Sequence, residues 1–360
     1  MIDVALFGAG RIGSIHAGNI VRQPGVTLKY VVDVDPAAGE ALARAHGAQT
    51  TEAERVFGDP DIAAVIIASS TDTHADLLLR AAKAKKAIFC EKPVDLSLPR
   101  ARACAEAVRS AGVRCVVGFQ RRYDPTFAYL KRRIEDGEIG EPEMLIVTSR
   151  DPGAPPVDYI KRSGGIFKDM LIHDFDIFRW IIGDEAATVY ATGSCLTNPE
   201  IERAGDIDAT AVTIRSRHGH LAQISTIRRA AYGYDQRFEV IGSKGMLQAG
   251  NHRPTEVVLW SSGAITADKP EHFFLERYRA AYAAEMAHFF DVVAGHAAPR
   301  TSIEDGVAAL ALAEAATTSW REKRIVELPP ERDETSPHAR SARCPPGGRS
   351  VGRGGPSQLT

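Results

Sequence analysis

A glycine turn near the start of the chain constrains its fold more than any other feature. Residues 8–13 read Gly-Ala-Gly-Arg-Ile-Gly, directly after the apolar run 3–7 and directly before a helical pattern. A strand, a glycine turn and a helix in this order are the fingerprint of a dinucleotide-binding unit. Gly8 permits the tight turn, Gly10 lets the backbone approach a pyrophosphate, and Gly13 lets helix and strand pack closely. The predicted phosphate-binding turn consists of Gly8, Gly10, Arg11, Ile12 and Gly13.

The rest of the first third alternates apolar strand-like runs with helical patterns. Short apolar strands that alternate with helices indicate a parallel sheet covered on both faces. We therefore predict an α/β fold whose N-terminal domain, residues 1–120, is a doubly wound, Rossmann-type parallel sheet. The predicted strands are 3–7, 28–32, 64–68, 87–90 and 115–117, and the predicted helices are 12–21, 36–46, 73–83 and 98–111.

From residue 121 onward the pattern changes to strands joined by short turns that contain glycine. Turns such as 218–220 and 242–245 favour antiparallel pairing of the strands that they join. Residues 121–330 are therefore expected to form an α+β domain on a mostly antiparallel open sheet. Residues 331–360 are rich in Pro, Gly, Ser and Arg, a composition that predicts a disordered tail. The predicted strands are 144–149, 188–194, 208–216, 221–228, 237–242, 245–248 and 256–260, and the predicted helices are 125–135, 165–182, 274–294 and 302–324.

Composition and charge argue against several classes of function. The 360 residues include 44 Lys and Arg and 46 Asp and Glu, a formal net charge of −2 that offers no basic surface to nucleic acid or to an anionic membrane. No apolar run reaches the roughly 20 residues of a membrane helix, and no leader peptide precedes the first strand. The five cysteines are scattered without a Cys-x-x-Cys pair, so neither a disulfide framework nor a zinc site is indicated. The sequence favours a soluble, cytoplasmic protein without a bound metal.

The residue at the end of the second predicted strand indicates which dinucleotide is bound. Asp33 follows Gly10 by 23 residues, where a carboxylate can accept hydrogen bonds from the adenosine ribose hydroxyls. A carboxylate repels the 2′-phosphate of NADP, and Val34 stands where an arginine could have paired with that phosphate. Asp35 is the competing carboxylate, but we expect it to cap the following helix. These residues favour NAD, although Arg11 could still assist a 2′-phosphate.

Two local patterns contain candidate catalytic groups. Glu91-Lys92-Pro93 follows the fourth predicted strand, at the edge where open α/β sheets bind ligands, so the ammonium of Lys92 could stabilise a developing alkoxide. Asp169 and His173 are four residues apart on the predicted helix 165–182, so they are expected to share a face and to hydrogen-bond. A histidine oriented by a carboxylate is a natural general base. Taken alone, each pattern also fits an interpretation without catalysis: the first as a surface turn, and the second as a capped, solvated helix face.

Both patterns occur, in order, among segments that are typical of one family. The segments are GAGRIGSIHA, CEKP, GFQRRYDP and DMLIHDFD, and over residues 3–328 the sequence resembles the glucose-fructose oxidoreductase, inositol dehydrogenase and rhizopine-catabolism (Gfo/Idh/MocA) family. This resemblance implies that Lys92 stabilises the substrate oxygen, that His173 is the acid/base, and that Asp169 orients substrate and histidine. Besides the glycine turn, it implies that NAD contacts Asp33, Ser69, Ser70, Thr71, His74, Glu91, Lys92 and Gln120.

Within the family, the segments 118–124, 149–152, 159–178 and 231–235 are most similar to inositol dehydrogenases. The resemblance implies NAD-dependent oxidation of myo-inositol to its 2-keto derivative. It also implies a homotetramer, in which neighbouring subunits cover the exposed face of the open sheet. Arg122 and Tyr234 are expected to join Lys92, Asp169 and His173 in a polyol pocket; packing on a sheet face is the alternative for Tyr232 and Tyr234. A scyllo-inositol or aldose dehydrogenase of the same family is a second hypothesis. A non-catalytic NAD-sensing regulator is a third, although such a protein would be expected to lose the lysine or the histidine.

Overall fold

The N-terminal part of the molecule contains the predicted Rossmann-type sheet. The computed structural model describes residues 1–329, so the predicted tail at 331–360 lies outside the described residues. The strands of the first sheet are β1 (Ile2–Phe7), β2 (Val26–Val32), β3 (Gln49–Thr50), β4 (Ile62–Ile67), β5 (Ala87–Glu91) and β6 (Cys115–Gly118). Its helices are α1 (Arg11–Ile20), α2 (Pro36–His46), α3 (Ala53–Gly58), α4 (Thr71–Lys83) and α5 (Leu98–Ala111). All strand pairs are parallel, and the order β3-β2-β1-β4-β5-β6 confirms the doubly wound α/β prediction.

The strand order explains where this sheet can bind a ligand. The chain reverses its winding direction between β1 and β4, and open α/β sheets bind their ligands in the crevice at the carboxyl ends of the strands beside such a reversal. Residues in the middle of these two strands are fully buried, as their continuous apolar sequences predict; Leu6 and Ile66 are examples. Asp35 caps α2 by accepting hydrogen bonds from the backbone N–H groups of Ala37 and Ala38, which confirms its predicted role.

The second sheet belongs to the C-terminal half. A short 3-10 helix (Gln120–Tyr123) leads into it, and its strands are β7 (Pro142–Arg150), β8 (Ala186–Ser194), β9 (Ala209–Ser216), β10 (Leu221–Ile227), β11 (Asp235–Gly242), β12 (Gly245–Ala249) and β15 (Val326–Glu327). A separate hairpin consists of β13 (Val258–Trp260) and β14 (Ile265–Ala267). The helices are α6 (Pro125–Glu135), α7 (Val157–Ser163), α8 (Ile166–Asp169), α9 (Ile172–Ile182), α10 (Pro199–Arg203), α11 (Phe274–Arg277), α12 (Arg279–Ala294) and α13 (Ile303–Glu322).

One pair of strands in this sheet runs parallel. The order is β12-β11-β7-β10-β9-β8-β15, and the sheet is mostly antiparallel, as predicted from its glycine-containing turns. The exception is β7 beside β10, where Leu145 lies opposite Ala222 and Arg150 opposite Ile227. Because parallel strands end at the same edge of a sheet, the residues that follow β7 and β10 emerge side by side.

Several predicted elements are divided or shortened in the structure. The predicted helix 165–182 is wrong as one helix, because the chain breaks between α8 and α9. The carbonyl oxygen of Asp169, which would accept from the N–H of His173 in a continuous helix, instead accepts from the ammonium of Lys92. The predicted helix 274–294 is interrupted at Tyr278, and α7 lies in the segment 151–164, where no helix was predicted. The predicted strand 256–260 is only β13, which pairs with β14 rather than with the main sheet.

The last two long helices pack against the N-terminal sheet. Phe289 on α12 contacts the ring of Phe89 edge-on, with ring centroids 5.6 Å apart, and belongs to the same buried cluster as Leu6. Leu310 on α13 belongs to the buried cluster of Val117 on β6. The described chain up to Leu328 is one compact unit, and the domain boundary at residue 120 stays a prediction. Within residues 1–329, none of the helices is both long enough and apolar enough to cross a bilayer.

Candidate active site

The glycine turn has the geometry that a dinucleotide requires. Gly8 has φ +101°, and a Cβ there would collide with the carbonyl oxygen of Ala68 on the neighbouring strand end. A Cβ on Gly13 would collide with the carbonyl oxygen of Gly8. A Cβ on Gly10, by contrast, would meet no atom within 4 Å, so the backbone at the N-terminus of α1 faces open space. Free N–H groups and the positive end of the helix dipole at this place fit the phosphates of a dinucleotide.

Asp33 lies directly beside this turn. Its Oδ2 accepts a hydrogen bond from the N–H of Ala9 at 2.5 Å, and its Oδ1 accepts from the N–H of Asp35 at 2.8 Å. The carboxylate is thereby fixed at the end of β2, where the ribose of a dinucleotide would lie. Val34 is 98% exposed, and Arg11 is an exposed residue at the first position of α1.

The predicted cofactor residues after β4 divide into two groups. Ser69 and Ser70 lead from β4 into α4, which begins at Thr71, and the contact of these three residues with NAD stays a prediction. His74 is different, because its side chain is buried with Nδ1 2.8 Å from the carbonyl oxygen of Pro93 and Nε2 3.1 Å from that of Ser69. The structure therefore places His74 behind the crevice, where it joins the loop after β4 to the turn after β5. Its predicted role as a direct cofactor contact is not supported by this position.

Glu91 forms a second connection beneath the crevice. Its Oε1 lies 2.7 Å from Nε2 of His16, a fully buried residue on α1. The backbone of Gly118 closes the other side, because a Cβ there would lie 2.9 Å from Oε2 of Glu91. His16 was part of a quoted segment but was not predicted as a site residue. Gln120, predicted to contact NAD, is buried at the start of the 3-10 helix.

The two predicted catalytic patterns meet in the structure. The Nζ of Lys92 lies 2.8 Å from the carbonyl oxygen of Asp169 and 3.9 Å from its Oδ1. The carboxylate of Asp169 also accepts two further hydrogen bonds: Oδ1 from the phenol of Tyr159 at 2.8 Å and Oδ2 from Nη2 of Arg228 at 2.8 Å. A lysine from the first sheet and a carboxylate from the second domain thus form one polar cluster.

The predicted hydrogen bond between Asp169 and His173 is not formed. The break between α8 and α9 changes the register of the two side chains, and Tyr159 and Arg228 occupy the carboxylate instead. Among the described residues, Nδ1 of His173 has no hydrogen-bond partner, and its ring packs edge-on against Phe119. Burial, and then the positive charges of Lys92 and Arg121, hold the pKa of His173 well below its ordinary value. The imidazole is therefore neutral and able to accept a proton.

Arg122 does not lie in a polyol pocket, so its predicted role is wrong. Its Nε and Nη2 bind the carboxylate of Asp176 at 2.9 and 2.5 Å, Nη2 also lies 3.0 Å from Asp305, and Nη1 donates to the carbonyl oxygen of Arg300. Asp176 is 1% exposed, and a buried carboxylate requires such a partner. This arginine joins α9 to the start of α13.

The two tyrosines of the segment 231–235 point to different surroundings. Tyr234 is 5% exposed, and its ring packs edge-on against Phe273 and Tyr278, which supports the packing alternative. Burial raises the pKa of its phenol well above the ordinary value. Tyr232 lies at the surface, where its hydroxyl accepts from Arg150 and donates to Asp235. A role for Tyr234 in binding substrate stays a prediction.

Three residues of the polar cluster were not predicted. Asp151 follows β7 and Arg228 follows β10, so the parallel pair brings them to one edge of the sheet. Burial raises the pKa of Asp151 to about 7 in spite of Arg228, and the nearby charge of Asp169 adds to this effect. Tyr159 comes from α7, a helix that was not predicted. The sequence contains no local signal for these positions, because strand pairing in the sheet determines them.

Within residues 1–329, no group of three or more His, Cys, Asp or Glu side chains is arranged to hold a metal ion.

Comparison with protein-family models gives two matches that together span most of the chain. Residues 2–119 match the model described as "Oxidoreductase family, NAD-binding Rossmann fold", and residues 131–328 match "Oxidoreductase family, C-terminal alpha/beta domain", which are the two GFO/IDH/MocA models. These matches agree with the two halves seen in the structure.

Individual relatives are similar over nearly their whole length. The chain is 48% identical to an inositol 2-dehydrogenase from Rhizobium meliloti over 91% of this chain and 99% of that protein. It is 44% identical to a myo-inositol 2-dehydrogenase from Thermotoga maritima over 90% of this chain and 98% of that protein. A crystal structure of scyllo-inositol dehydrogenase from Lactobacillus casei with bound NAD(H) and scyllo-inositol superposes with a TM-score of 0.85 at 28% identity, covering 91% and 99% of the two chains.

These comparisons agree with the geometry of the crevice. The chain is an enzyme, a dehydrogenase, and its cofactor is NAD. On its sequence, its fold and its two family-model matches, it belongs to the GFO/IDH/MocA oxidoreductase family.

Proposed function

We propose that this enzyme oxidises myo-inositol at C2 to 2-keto-myo-inositol, with NAD as the acceptor. The observation that carries the proposal is the hydrogen bond of 2.8 Å from Nζ of Lys92 to the carbonyl oxygen of Asp169. The imidazole of His173 is neutral because it is buried, and it is close enough for the charge of Lys92 to lower its pKa further. An ammonium and a proton acceptor next to the NAD-binding crevice are the two groups that oxidation of a secondary alcohol needs from a protein. The names of the relatives from Rhizobium meliloti and Thermotoga maritima support an inositol as substrate.

Each catalytic side chain has one role in this proposal. His173 is uncharged because it is buried beside Lys92 and Arg121, so it can remove the proton of the reacting hydroxyl. The ammonium of Lys92 stabilises the negative charge that then develops on the substrate oxygen. Asp169, held by Arg228, fixes the position of Lys92 through its backbone carbonyl. NAD bound along the glycine turn accepts the hydride from the carbinol carbon.

A cyclitol has hydroxyl groups around its whole rim, so its pocket needs donors and acceptors in several directions. Asp151 offers a carboxylate at the end of β7, and the buried Arg228 at the end of β10 positions Asp169. We therefore infer that Asp151 takes part in binding the polyol, in place of Arg122. Asp33 and the glycine turn would hold the adenosine half of NAD, and Glu91 and Gln120 would lie on the nicotinamide side.

Oxidation of scyllo-inositol is the second candidate, and it is favoured by the similar structure that contains scyllo-inositol. Oxidation of myo-inositol at C2 and oxidation of scyllo-inositol give the same ketone, so product analysis of the forward reaction cannot separate them. Reduction of that ketone with NADH separates them, because delivery of hydride to one face gives myo-inositol and to the other face gives scyllo-inositol. We expect mainly myo-inositol, identified by gas chromatography of the products. The same purified enzyme is assayed for NADH formation with a panel of inositols and aldoses. Mainly scyllo-inositol as product, or faster oxidation of scyllo-inositol or glucose than of myo-inositol, contradicts the proposal.

We also propose that the enzyme is a homotetramer. The outer face of the second sheet carries exposed apolar side chains, among them Tyr190, Leu221 and Met246. An apolar face of this kind is normally covered by a neighbouring subunit in symmetric oligomers. Light scattering after size-exclusion chromatography is expected to give four times the chain mass, and the mass of one chain or of two contradicts the proposal.

A further inference from the structure

Tyr159 reaches the catalytic cluster from the segment between β7 and α8. Its phenol donates a hydrogen bond of 2.8 Å to Oδ1 of Asp169, although 45% of its surface is exposed. Oδ1 is also the carboxylate oxygen that lies 3.9 Å from the ammonium of Lys92. The hydroxyl of Tyr159 therefore contacts the atom through which the Asp169 side chain faces Lys92.

The two partners of the Asp169 carboxylate are held in different ways. Arg228, which binds Oδ2, is 1% exposed, lies at the end of β10 and is also 3.7 Å from Asp206, so the sheet fixes it. Tyr159 lies on α7, a helix of seven residues. A carboxylate held by only one of its oxygens can rotate about the Cβ–Cγ bond, whereas two donors on different oxygens determine its plane.

The helix α7 is seated against the loop that follows Lys92. It is preceded by Pro156 and followed by Gly164 and Gly165, both in the left-handed region with φ +84° and +83°. A Cβ on Gly164 would lie 2.7 Å from Cδ2 of Leu96, so the end of α7 touches the loop after Lys92 directly. Ile160, next to Tyr159, is 3% exposed and anchors the helix. The direction of the phenol is thus determined by the fold and not by a mobile side chain alone.

We propose that Tyr159 is a positioning residue of the reaction, whose phenol fixes Oδ1 of Asp169 and thereby the negative charge that lies 3.9 Å from the ammonium of Lys92. This inference rests on the proposed function, since it concerns the same site. The role of α7 is then to hold the hydroxyl group of Tyr159 beside Asp169. The phenol acts through Asp169 and does not exchange a proton with the substrate.

The variant Tyr159→Phe tests this role, because it removes one oxygen atom and keeps the ring. We expect kcat to fall about tenfold, as for the loss of one hydrogen bond to a charged group, with KM for the polyol changed less than about threefold. The dissociation constant of NAD, from quenching of protein fluorescence, and the thermal midpoint are expected to stay unchanged.

Tyr129→Phe is the matched control. Tyr129 is 52% exposed on α6, where its ring contacts Arg132, so loss of its hydroxyl removes a phenol of similar exposure outside the site. A Tyr159→Phe enzyme with the kcat of the wild type overturns the inference, and so does a lower kcat that is accompanied by a lower thermal midpoint and weaker NAD binding. Kinetics are measured with whichever polyol the wild type oxidises fastest. A wild type that prefers an aldose contradicts only the proposed substrate, whereas a wild type that oxidises no polyol overturns both proposals.

Discussion

The imidazole of His16 lies 2.7 Å from Oε1 of Glu91, and this contact joins the helix that begins at the glycine turn to the residue before Lys92. His16 is fully buried, with its ring packed edge-on against Phe89 and Tyr282. The contact therefore ties the element that would hold the pyrophosphate to the turn that presents the catalytic ammonium.

Replacement of His16 by alanine is expected to weaken NAD binding and to slow turnover together, each about tenfold, because Glu91 loses the partner that fixes the turn before Lys92. NAD binding is measured by fluorescence quenching, and turnover by NADH absorbance. His296→Ala, at an exposed position after α12, is the control and is expected to leave both quantities unchanged. A change in turnover without a change in NAD binding would show that the contact does not connect the glycine turn to the turn that presents Lys92.

Lys92→Ala and His173→Ala are expected to lower kcat at least a thousandfold while NAD binding persists. Lys92 supplies the positive charge for the alkoxide, and the neutral imidazole of His173 is the proton acceptor. Neither side chain lies at the glycine turn, so the dissociation constant of NAD is expected to change less than about threefold. Loss of NAD binding in both variants would mean that these residues are structural.

Asp33→Ser is expected to raise kcat/KM with NADP at least tenfold and to lower it with NAD. The carboxylate lies at the end of β2 beside the N–H of Ala9, where it would repel a 2′-phosphate. Asp35→Ser is the matched control, because Asp35 caps α2 and is not expected to change the choice of cofactor. Unchanged use of NADP by the Asp33 variant contradicts the ribose-carboxylate argument.

Asp151 is expected to make both activity and stability depend on pH near neutrality. Burial raises its pKa in the folded protein to about 7, so the folded state binds a proton that the unfolded chain has lost above about pH 4. The free energy of unfolding is therefore expected to fall as pH rises from about 4 to about 7. Above that range Asp151 is ionised and is a stronger acceptor for a hydroxyl of the polyol, so kcat/KM is expected to rise through pH 7.

The measurement is urea unfolding and kcat/KM at pH 5 and pH 8 for Asp151→Asn and the wild type. The variant is expected to show a smaller change in both quantities between the two pH values. Asp158→Asn, a change of an exposed carboxylate on α7, is the control and should follow the wild type. Equal pH dependence of the Asp151 variant and the wild type would contradict this assignment.

Arg122→Met is expected to lower the free energy of unfolding by about 3–5 kcal/mol, because it leaves the buried carboxylate of Asp176 without its guanidinium partner. Urea unfolding measures this loss, and the double variant Arg122→Met, Asp176→Leu is expected to recover part of it. KM for the polyol is expected to stay within about threefold of the wild type at a temperature where the variant is folded. A large rise in KM with unchanged stability would restore Arg122 to the substrate pocket.

The sequence predicted the features that depend on neighbouring residues along the chain. The glycine turn, the position of Asp33 beside it and the cap formed by Asp35 all depend on short segments, and the structure has them as expected. The Asp169–His173 bond was predicted from the spacing of a continuous helix, and it failed because Lys92, from a distant segment, takes the carbonyl oxygen at the break. A contact over 77 residues leaves no trace in helical periodicity.

The same reason explains the residues that were missed. Turn lengths predict which strands pair as hairpins, but β7 and β10 pair in parallel across several intervening elements. Only that pairing brings Asp151 and Arg228 together, and the sequence around each of them resembles an ordinary strand end. Arg122 was placed in the pocket because it stands in a segment shared with the family, whereas the need of a buried Asp176 for a partner decides its direction.

The packing of α12 and α13 against the first sheet has a consequence for biosynthesis. Phe289 and Leu310 complete apolar clusters whose other members, such as Phe89 and Val117, leave the ribosome about two hundred residues earlier. The Rossmann-type half is synthesised first, yet its hydrophobic surface stays uncovered until the end of translation. The N-terminal domain therefore completes its folding only after α12 and α13 have been synthesised. A fragment that ends near residue 120 is expected to aggregate rather than fold.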